Sequence, residues 1–122
     1  MSFTYQIDNN RGVGIIHLEG RLMEKYDASS LLEEVKDSIA QGMNRFVIDL
    51  KKLEYINSSG LNVLITILTQ SRNDGGETII CNLSPRLEKL FVITRLDTVF
   101  QLAATQAAAL QVFKNTEKQN EA

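Results

Sequence analysis

One stretch of the sequence decides the fold and carries the candidate site: Ile56-Asn57-Ser58-Ser59-Gly60-Leu61. The run before it, residues 46–50, is short and strongly apolar, which is typical of an interior β-strand. After it, apolar residues recur with the i, i+3, i+4, i+7 spacing of an amphipathic helix, at Leu61, Leu64, Ile65 and Leu68. The stretch therefore predicts a strand-to-helix junction that carries two adjacent hydroxyl groups.

A serine at such a junction can have two roles. The first turn of a helix has unpaired backbone N–H groups and a partial positive charge, so a phosphate there is stabilised. Ser58 is therefore a candidate phosphate acceptor. It is equally a candidate N-cap, whose hydroxyl oxygen accepts a backbone hydrogen bond. The residues of the junction leave both roles open.

The residues around the two serines favour contact with another molecule. Leu61 and Asn62 stand three residues after the serines, where a capping box needs Glu or Gln, so no acidic side chain competes with a phosphate. Gly60 is expected to let a partner approach the helix start closely. Asn62, Thr66 and Thr69 make the outer face of the helix polar but uncharged, which suits docking against a partner.

The composition bounds the class of protein. The chain has 122 residues, of which 43% are hydrophobic and 23% charged, and this fits one globular domain with a single core. We assign residues 1–114 to that domain and residues 115–122 to a polar C-terminal tail. A net charge of −2 without a basic run argues against a nucleic-acid binder. No apolar run approaches the ~20 residues of a membrane span, and residues 1–6 do not resemble a signal peptide. We therefore expect a cytoplasmic protein.

Strand and helix patterns alternate along the chain. Two extended segments open it, residues 3–8 and 13–19, and the Asn- and Gly-containing residues 9–12 supply a hairpin turn. The remaining elements follow in order: a helix to about Gly42, a strand at 45–50, a helix from the serine pair to about Ser71, a strand at 78–82, a helix from Ser84, a short edge strand at 99–102 and a helix at 104–113. This order predicts an α/β domain with a mixed β-sheet of four to five strands, opened by a β-hairpin and packed with about four α-helices.

The sequence also predicts how the helices begin and pack. The first helix should begin near Asp27 or the Ser29-Ser30 pair, because Ser30 and Glu33 have the spacing of a capping box. Ser84 should cap the third helix, with a proline in the first helical position. Each helix shows one apolar stripe, which suits packing on one face of the sheet or a partly open layer.

Residues suited to catalysis or metal binding do not form a recognisable site. His17 is the only histidine, and no acid–base partner stands beside it in the sequence. The residues before Ser58 do not form the Gly-x-Ser-x-Gly elbow of a serine hydrolase, and no cluster has metal-ligand spacing. Cys81, the single cysteine, lies in an apolar run and is predicted to be a buried small hydrophobe. We predict a protein that is not an enzyme and has no cofactor, with a small serine hydrolase as the alternative from the enzyme class.

Several short motifs follow one another along the chain. They are Gly20-Arg21-Leu22, residues 47–50 with Leu53 and Ile56, residues 57–64, Gly75-Gly76 with residues 79–85, and Leu90-Phe91 with Leu96. Together they resemble the motifs of the STAS domains of the anti-sigma factor antagonist (anti-anti-sigma) family, over nearly the whole chain. Residues 57–64 are similar to the family signature Asp-Ser-Ser-Gly-Leu-Gly-Val-Leu.

The resemblance implies a partner-switching mechanism. In this family the unphosphorylated antagonist binds an anti-sigma factor serine kinase and frees a sigma factor, so it regulates transcription indirectly. The kinase uses ATP to phosphorylate a serine of the antagonist, and a metal-dependent serine phosphatase reverses the modification. By motif position the acceptor is Ser58, with Ser59 as the fallback. The partner-binding residues are then Asn57, Ser58, Ser59, Gly60, Asn62 and Thr66. The alternative is a non-phosphorylated STAS interaction module that scaffolds a bacterial signalling complex.

Four positions depart from the family pattern. Asn57 stands in place of the family's aspartate, which either hampers recognition by the kinase or marks a variant that is never phosphorylated. Asn62 replaces the second glycine of the signature, and Met23 replaces an acidic residue after the Gly-x-Leu turn. Arg95 replaces a glycine at a helix end, where a left-handed backbone costs a non-glycine residue ~1–2 kcal/mol.

Overall fold

A five-stranded sheet and four α-helices make up the fold. The computed structural model describes residues 2–121, with side chains from residue 2 to residue 115. The strands are β1 (Phe3–Asn10), β2 (Val13–Leu22), β3 (Arg45–Ile56), β4 (Glu77–Cys81) and β5 (Gln101–Ala103). The helices are α1 (Ser29–Ala40), α2 (Ser58–Asn73), α3 (Pro85–Ile93) and α4 (Gln106–Glu121), and a 3₁₀ helix (Lys25–Ala28) precedes α1. The predicted α/β fold is confirmed.

The strand order of the sheet follows the chain order, β1-β2-β3-β4-β5. The opening hairpin pairs β1 with β2 antiparallel, and every later pair is parallel. Parallel neighbours need crossover connections, which are almost always right-handed, so successive crossovers in one direction place their helices on the same face. The helices α1, α2 and α3 are these crossovers. As a result the carboxyl ends of β2, β3 and β4 lie at one edge of the domain, where α2 and α3 begin.

The sheet has a separate apolar cluster on each face. Successive strand residues point to opposite faces, and Ile16 and Ile48 accordingly belong to the main core while Ile15 and Val47 belong to a second cluster. This second cluster includes Ala109 and Phe113 of α4. The expectation that all the helices pack on one face of the sheet is therefore wrong. The helix α4 follows the last strand, so it is not a crossover, and it covers the opposite face.

Two elements run further than the sequence pattern predicts. The strand β3 continues past residue 50 to Ile56, because β2 supplies paired partners along this whole length. Lys51 and Lys52 are exposed and interrupt the apolar run from which the strand was predicted, whereas Leu53 is buried again. The helix α4 extends to Glu121 instead of ending near residue 113. The predicted polar tail falls mostly on side chains that lie outside the described residues.

Both α1 and α3 begin where the sequence predicts, α1 at Ser29 and α3 at Pro85, but only α3 has the predicted cap. The capping box of Ser30 and Glu33 does not form, because Ala28 is the N-cap and no side chain caps the helix. The preceding 3₁₀ helix supplies a carbonyl instead: the backbone N–H of Ser29 donates to Tyr26 O. Ser84 caps α3, since its Oγ accepts a 3.3 Å hydrogen bond from the backbone N–H of Leu87.

Close packing at Gly60 fixes the position of α2 against the sheet. Gly60 is buried, and a Cβ atom built on it would collide with the carbonyl oxygen of Leu22 and the side chain of Ile56. Leu22 and Ile56 are the paired last residues of β2 and β3. The absent side chain therefore lets the first turn of α2 lie directly on the ends of these two strands.

We predict that Gly60→Ala destabilises the protein. Alanine in place of glycine inside a helix ordinarily stabilises it by roughly 0.5–1 kcal/mol. Here the added methyl group meets backbone, and overpacking of this kind costs about 1–3 kcal/mol. Chemical denaturation should show a lower free energy of unfolding for Gly60→Ala and little change for the exposed neighbour Ser59→Ala. A higher stability for Gly60→Ala would contradict this packing.

A Schellman motif with an arginine at its left-handed position ends α3. Arg95 has φ of 62°. The backbone N–H of Leu96 donates to Phe91 O at 2.8 Å, and that of Arg95 donates to Val92 O at 3.1 Å. These two hydrogen bonds define the motif, in which glycine is the usual left-handed residue. The departure from the family pattern therefore changes the residue and keeps the left-handed turn.

We expect Arg95→Gly to raise the free energy of unfolding by about 0.5–1 kcal/mol. Glycine removes a left-handed penalty of ~1–2 kcal/mol but loses part of that gain through the greater entropy of the unfolded chain. Asp97→Gly is the matched control, because Asp97 is exposed and its φ is not positive. Thermal denaturation should show a higher Tm for Arg95→Gly and a lower Tm for Asp97→Gly. Equal effects of the two substitutions would refute the strain at Arg95.

Candidate functional site

Asn57 is the N-cap of α2, and Ser58 is its first helical residue. Asn57 has an extended backbone, and its Oδ1 accepts a 3.0 Å hydrogen bond from the backbone N–H of Gly60. The backbone N–H of Asn57 itself donates to the carbonyl oxygen of Leu22 at 3.4 Å. The interpretation of Ser58 as a possible N-cap is therefore wrong, because α2 begins at Ser58, one residue earlier than that role requires, and Asn57 is its N-cap.

Both serines of the junction have exposed hydroxyl groups that make no hydrogen bond within the described part of the chain. Ser58 and Ser59 are exposed, and neither hydroxyl has a hydrogen-bond partner among the side chains and backbone described. Their backbone N–H groups also lack an acceptor in the part of the chain that the structure covers, whereas those of Asn57 and Gly60 are paired. The positive end of α2 therefore presents two hydroxyls and two open N–H groups to solvent.

The rest of the helix start is polar without being acidic. The first turn of α2 contains no acidic residue, as the sequence indicates. Asn62 and Thr69 are exposed. Thr66 is half-buried, and its hydroxyl donates to the carbonyl oxygen of Asn62 at 2.8 Å. Of the residues proposed to bind a partner, Asn62 presents its side chain to solvent most openly, together with the two serines.

Gly60 does not form part of the exposed surface. Its missing side chain points toward Leu22 and Ile56, inside the domain. The expectation that Gly60 lets a partner approach the helix start is therefore wrong. The signature glycine is explained by packing within the chain.

The single histidine lies far from the two serines. His17 is at the middle of β2, with Nε2 3.2 Å from Asp8 Oδ2 and Nδ1 3.7 Å from Asp49 Oδ2. Asp49 also accepts a 3.0 Å hydrogen bond from Asn82 Nδ2. His17 pairs with Asp49, seven residues before the end of β3, which corresponds to about 20 Å along the strand. The geometry therefore does not allow His17 to act as a general base for Ser58.

Cys81 is buried, as the sequence predicts. Burial raises the pKa of the Cys81 thiol to about 12, and the nearby Asp49 carboxylate adds to the shift. The nucleophilic thiolate is therefore scarce at neutral pH.

Within the described residues, no three His, Cys, Asp or Glu side chains are grouped so that they could hold a metal ion. Over the same residues, no helix has both the length and the apolar character that a membrane span needs.

Exposed apolar side chains that were not predicted from the sequence lie close to this junction. Tyr55 is three residues before Ser58 and 37% exposed, and Ile93, the last residue of α3, is 77% exposed. Tyr26, in the 3₁₀ helix that contacts α2, is 82% exposed. The sequence contains a signal for this exposure, because α3 has more apolar residues than its buried side needs. Leu87 and Phe91 are buried in the core, and Ile93 is an additional apolar residue outside this set.

Comparison with known proteins gives consistent matches along the chain. A family model described as the STAS domain matches residues 4–109. The relative BtrV of Bordetella bronchiseptica is 32% identical over 108 residues, which cover 88% of this chain and 92% of the relative. The anti-sigma-B factor antagonist of Bacillus subtilis is 28% identical over 111 residues, which cover 91% of this chain and all of the relative.

A solved structure shows the same fold. The Bacillus cell fate determinant SpoIIAA in its phosphorylated form is 22% identical, with a TM-score of 0.70, and the match covers 89% of this chain and 99% of that protein. The family model spans most of the chain and includes the strand-to-helix junction at Ser58. The chain therefore belongs to the STAS domain family.

Proposed function

We propose that this protein is an anti-sigma factor antagonist that binds an anti-sigma factor kinase and is released when Ser58 is phosphorylated. One observation carries the proposal: Asn57 caps α2, so the exposed hydroxyl of Ser58 is not needed to cap the helix. Kinase binding would free a sigma factor and so regulate transcription indirectly. The exchange takes place in the cytoplasm, and Ser59 is the fallback acceptor.

The relatives support this function by similarity. The Bacillus subtilis relative is named as an antagonist of an anti-sigma-B factor, and SpoIIAA has been solved with a phosphate attached. In the proposed reaction the Ser58 oxygen forms a bond to the γ-phosphorus of ATP and the bond to the bridging oxygen of ADP breaks. The hydroxyl proton passes to a base of the kinase. A serine phosphatase would hydrolyse the phosphoserine and restore binding.

The energetics favour a change of contact over a change of fold. A phosphoserine adds about −1.5 to −2 charges, and the positive end of a helix stabilises a nearby anion by about 0.3–2 kcal/mol. The hydrogen bond from Gly60 N–H to Asn57 is unaffected by a modification of Ser58. A partner surface that covers Ser58 would instead have to desolvate the new charge, and a buried unpaired charge is strongly unfavourable. Phosphorylation therefore ends the complex and leaves the domain folded.

Asn57 is the observation that favours the second candidate function, a STAS module that is not phosphorylated. Asparagine and aspartate are both good N-caps, so the substitution keeps the helix start and removes one negative charge. A kinase that reads the charge of the family's aspartate would not recognise this chain. Phosphate transfer to the parent protein separates the two functions.

We predict that the anti-sigma kinase of the same organism, with ATP, adds one phosphate, at Ser58. Intact-mass and peptide mass spectrometry should show this phosphate in the parent and in Ser59→Ala, and should show none in Ser58→Ala. Transfer mapped to Ser29, Ser71 or Ser84 would exclude the assignment. Absence of transfer to the parent together with transfer to Asn57→Asp would support the non-phosphorylated module.

We further predict that Ser58→Asp separates binding from stability. An aspartate in the first turn suits the helix dipole while Asn57 still caps, so the thermal melt should stay within about 2 °C of the parent. Titration with the kinase should nevertheless show at least tenfold weaker binding, because a carboxylate then faces a surface shaped for a hydroxyl.

Leu64→Ala is the control for this experiment. Leu64 is fully buried in the main core, so the substitution should cost ~2–5 kcal/mol of stability and reduce binding only as the folded fraction falls. If Ser58→Asp binds the kinase as tightly as the parent does, the switch hypothesis fails.

A further inference from the structure

An open groove lies beside the candidate site, between the end of β3 and α3. Its volume is about 580 Å³, and Tyr55 and Ile56 form one wall. Leu90 and Ile93 of α3 contribute further apolar surface, and Ile93 is 77% exposed. An exposed isoleucine at the edge of an apolar groove contributes little to the stability of the free chain. Such a surface is typical of an interaction site.

The groove is basic in a chain whose net charge is −2. Arg86 and Lys89 line it, and no acidic side chain among the described residues does. The guanidinium group of Arg21 lies next to the Tyr55 wall, since its Cζ is 5.1 Å from the centre of the Tyr55 ring. The acidic residue of α3, Glu88, projects about 140° away from Ile93 around the helix. The groove therefore combines apolar walls with an uncompensated positive rim.

This arrangement does not stabilise α3 itself. Arg86 and Lys89 are three residues apart on the same side of the helix, where like charges repel. The stability of α3 comes from Leu87 and Phe91, which are buried in the core, and from the Ser84 cap. The basic and apolar groove face is therefore free to serve binding.

The groove is close enough to Ser58 for one partner to cover both. Ile56 lines the groove and stands two residues before Ser58, so their Cα atoms are at most about 7 Å apart. Most stable protein interfaces bury about 800 Å² on each partner. An area of this size is large enough to include both the groove and Ser58.

We propose that this groove docks an acidic amphipathic segment of the anti-sigma factor, with an apolar side chain between Tyr55 and Ile93 and carboxylates facing Arg86 and Lys89. The proposal rests on the proposed function and names the chemistry of the partner. It also supplies a reason for release: a phosphate on Ser58 repels the acidic segment and competes with it for the basic rim.

The test compares groove variants of the full chain in calorimetric titrations with the purified, unmodified anti-sigma factor. Ile93→Ala should weaken binding about tenfold, as expected for the loss of an apolar anchor. The double charge reversal Arg86→Glu with Lys89→Glu should weaken binding at least tenfold at about 50 mM salt and less at about 500 mM, because salt screens the charges. Both variants should melt within about 2 °C of the parent, since the altered side chains line an open groove.

Matched controls are available on other surfaces of the chain. Lys51→Glu with Lys52→Glu makes the same charge change at exposed positions of β3, and Val99→Ala truncates another exposed apolar residue. Both controls should bind within about twofold of the parent. If repulsion between the phosphate and the acidic segment is the cause of release, Ser58→Asp should weaken binding less in the charge-reversed background than in the parent.

Three results would overturn or limit the proposal in different ways. If the groove variants bind like the parent while Ser58→Asp binds weakly, the groove has no docking role and the proposed function stands. If Ser58→Asp also binds like the parent, the proposed function fails. If sedimentation of the free chain shows a dimer that Ile93→Ala dissociates, the occupant of the groove is a second copy of this chain, and the acidic segment is excluded.

Discussion

The hydrogen bond from the backbone N–H of Gly60 to Asn57 Oδ1 is the interaction on which the candidate site depends. It forms because β3 runs to Ile56, whose partner in β2 is Leu22. The carbonyl oxygen of Leu22 then holds the backbone of Asn57, and the absent side chain of Gly60 lets the first turn of α2 rest on the same strand end. The position of Ser58 is therefore set by strand pairing and close packing within the chain.

This arrangement divides two tasks between neighbouring residues. Asn57 satisfies the helix start, so the hydroxyl of Ser58 can be modified without loss of a structural hydrogen bond. A phosphate on Ser58, as proposed, would stand where the helix dipole favours negative charge, so its effect on stability would be small compared with its effect on a covering partner. The basic groove along α3 extends the same surface. A negative charge on Ser58 would act on an acidic ligand there through repulsion.

Local patterns predicted most of the fold, because strand and helix periodicity and the Ser84 cap depend on nearby residues. The parts that could not be predicted depend on contacts between distant segments. The extension of β3 past Lys51 depends on its pairing with β2, and this pairing makes Asn57 the cap instead of Ser58. The inward direction of Gly60 depends on Leu22, thirty-eight positions earlier in the chain. The exposure of Ile93 depends on the groove left between α3 and β3.

The measurement that tests the central claim most directly is chemical denaturation of Asn57→Ala beside Ser58→Ala. If Asn57 is the cap and Ser58 has no structural task, Asn57→Ala should lose ~0.5–2 kcal/mol of unfolding free energy. Ser58→Ala should stay within about 0.5 kcal/mol of the parent, because alanine is a good helix former at an exposed position. The opposite result, a stable Asn57→Ala and a destabilised Ser58→Ala, would show that Ser58 caps the helix and is not free to act as the switch.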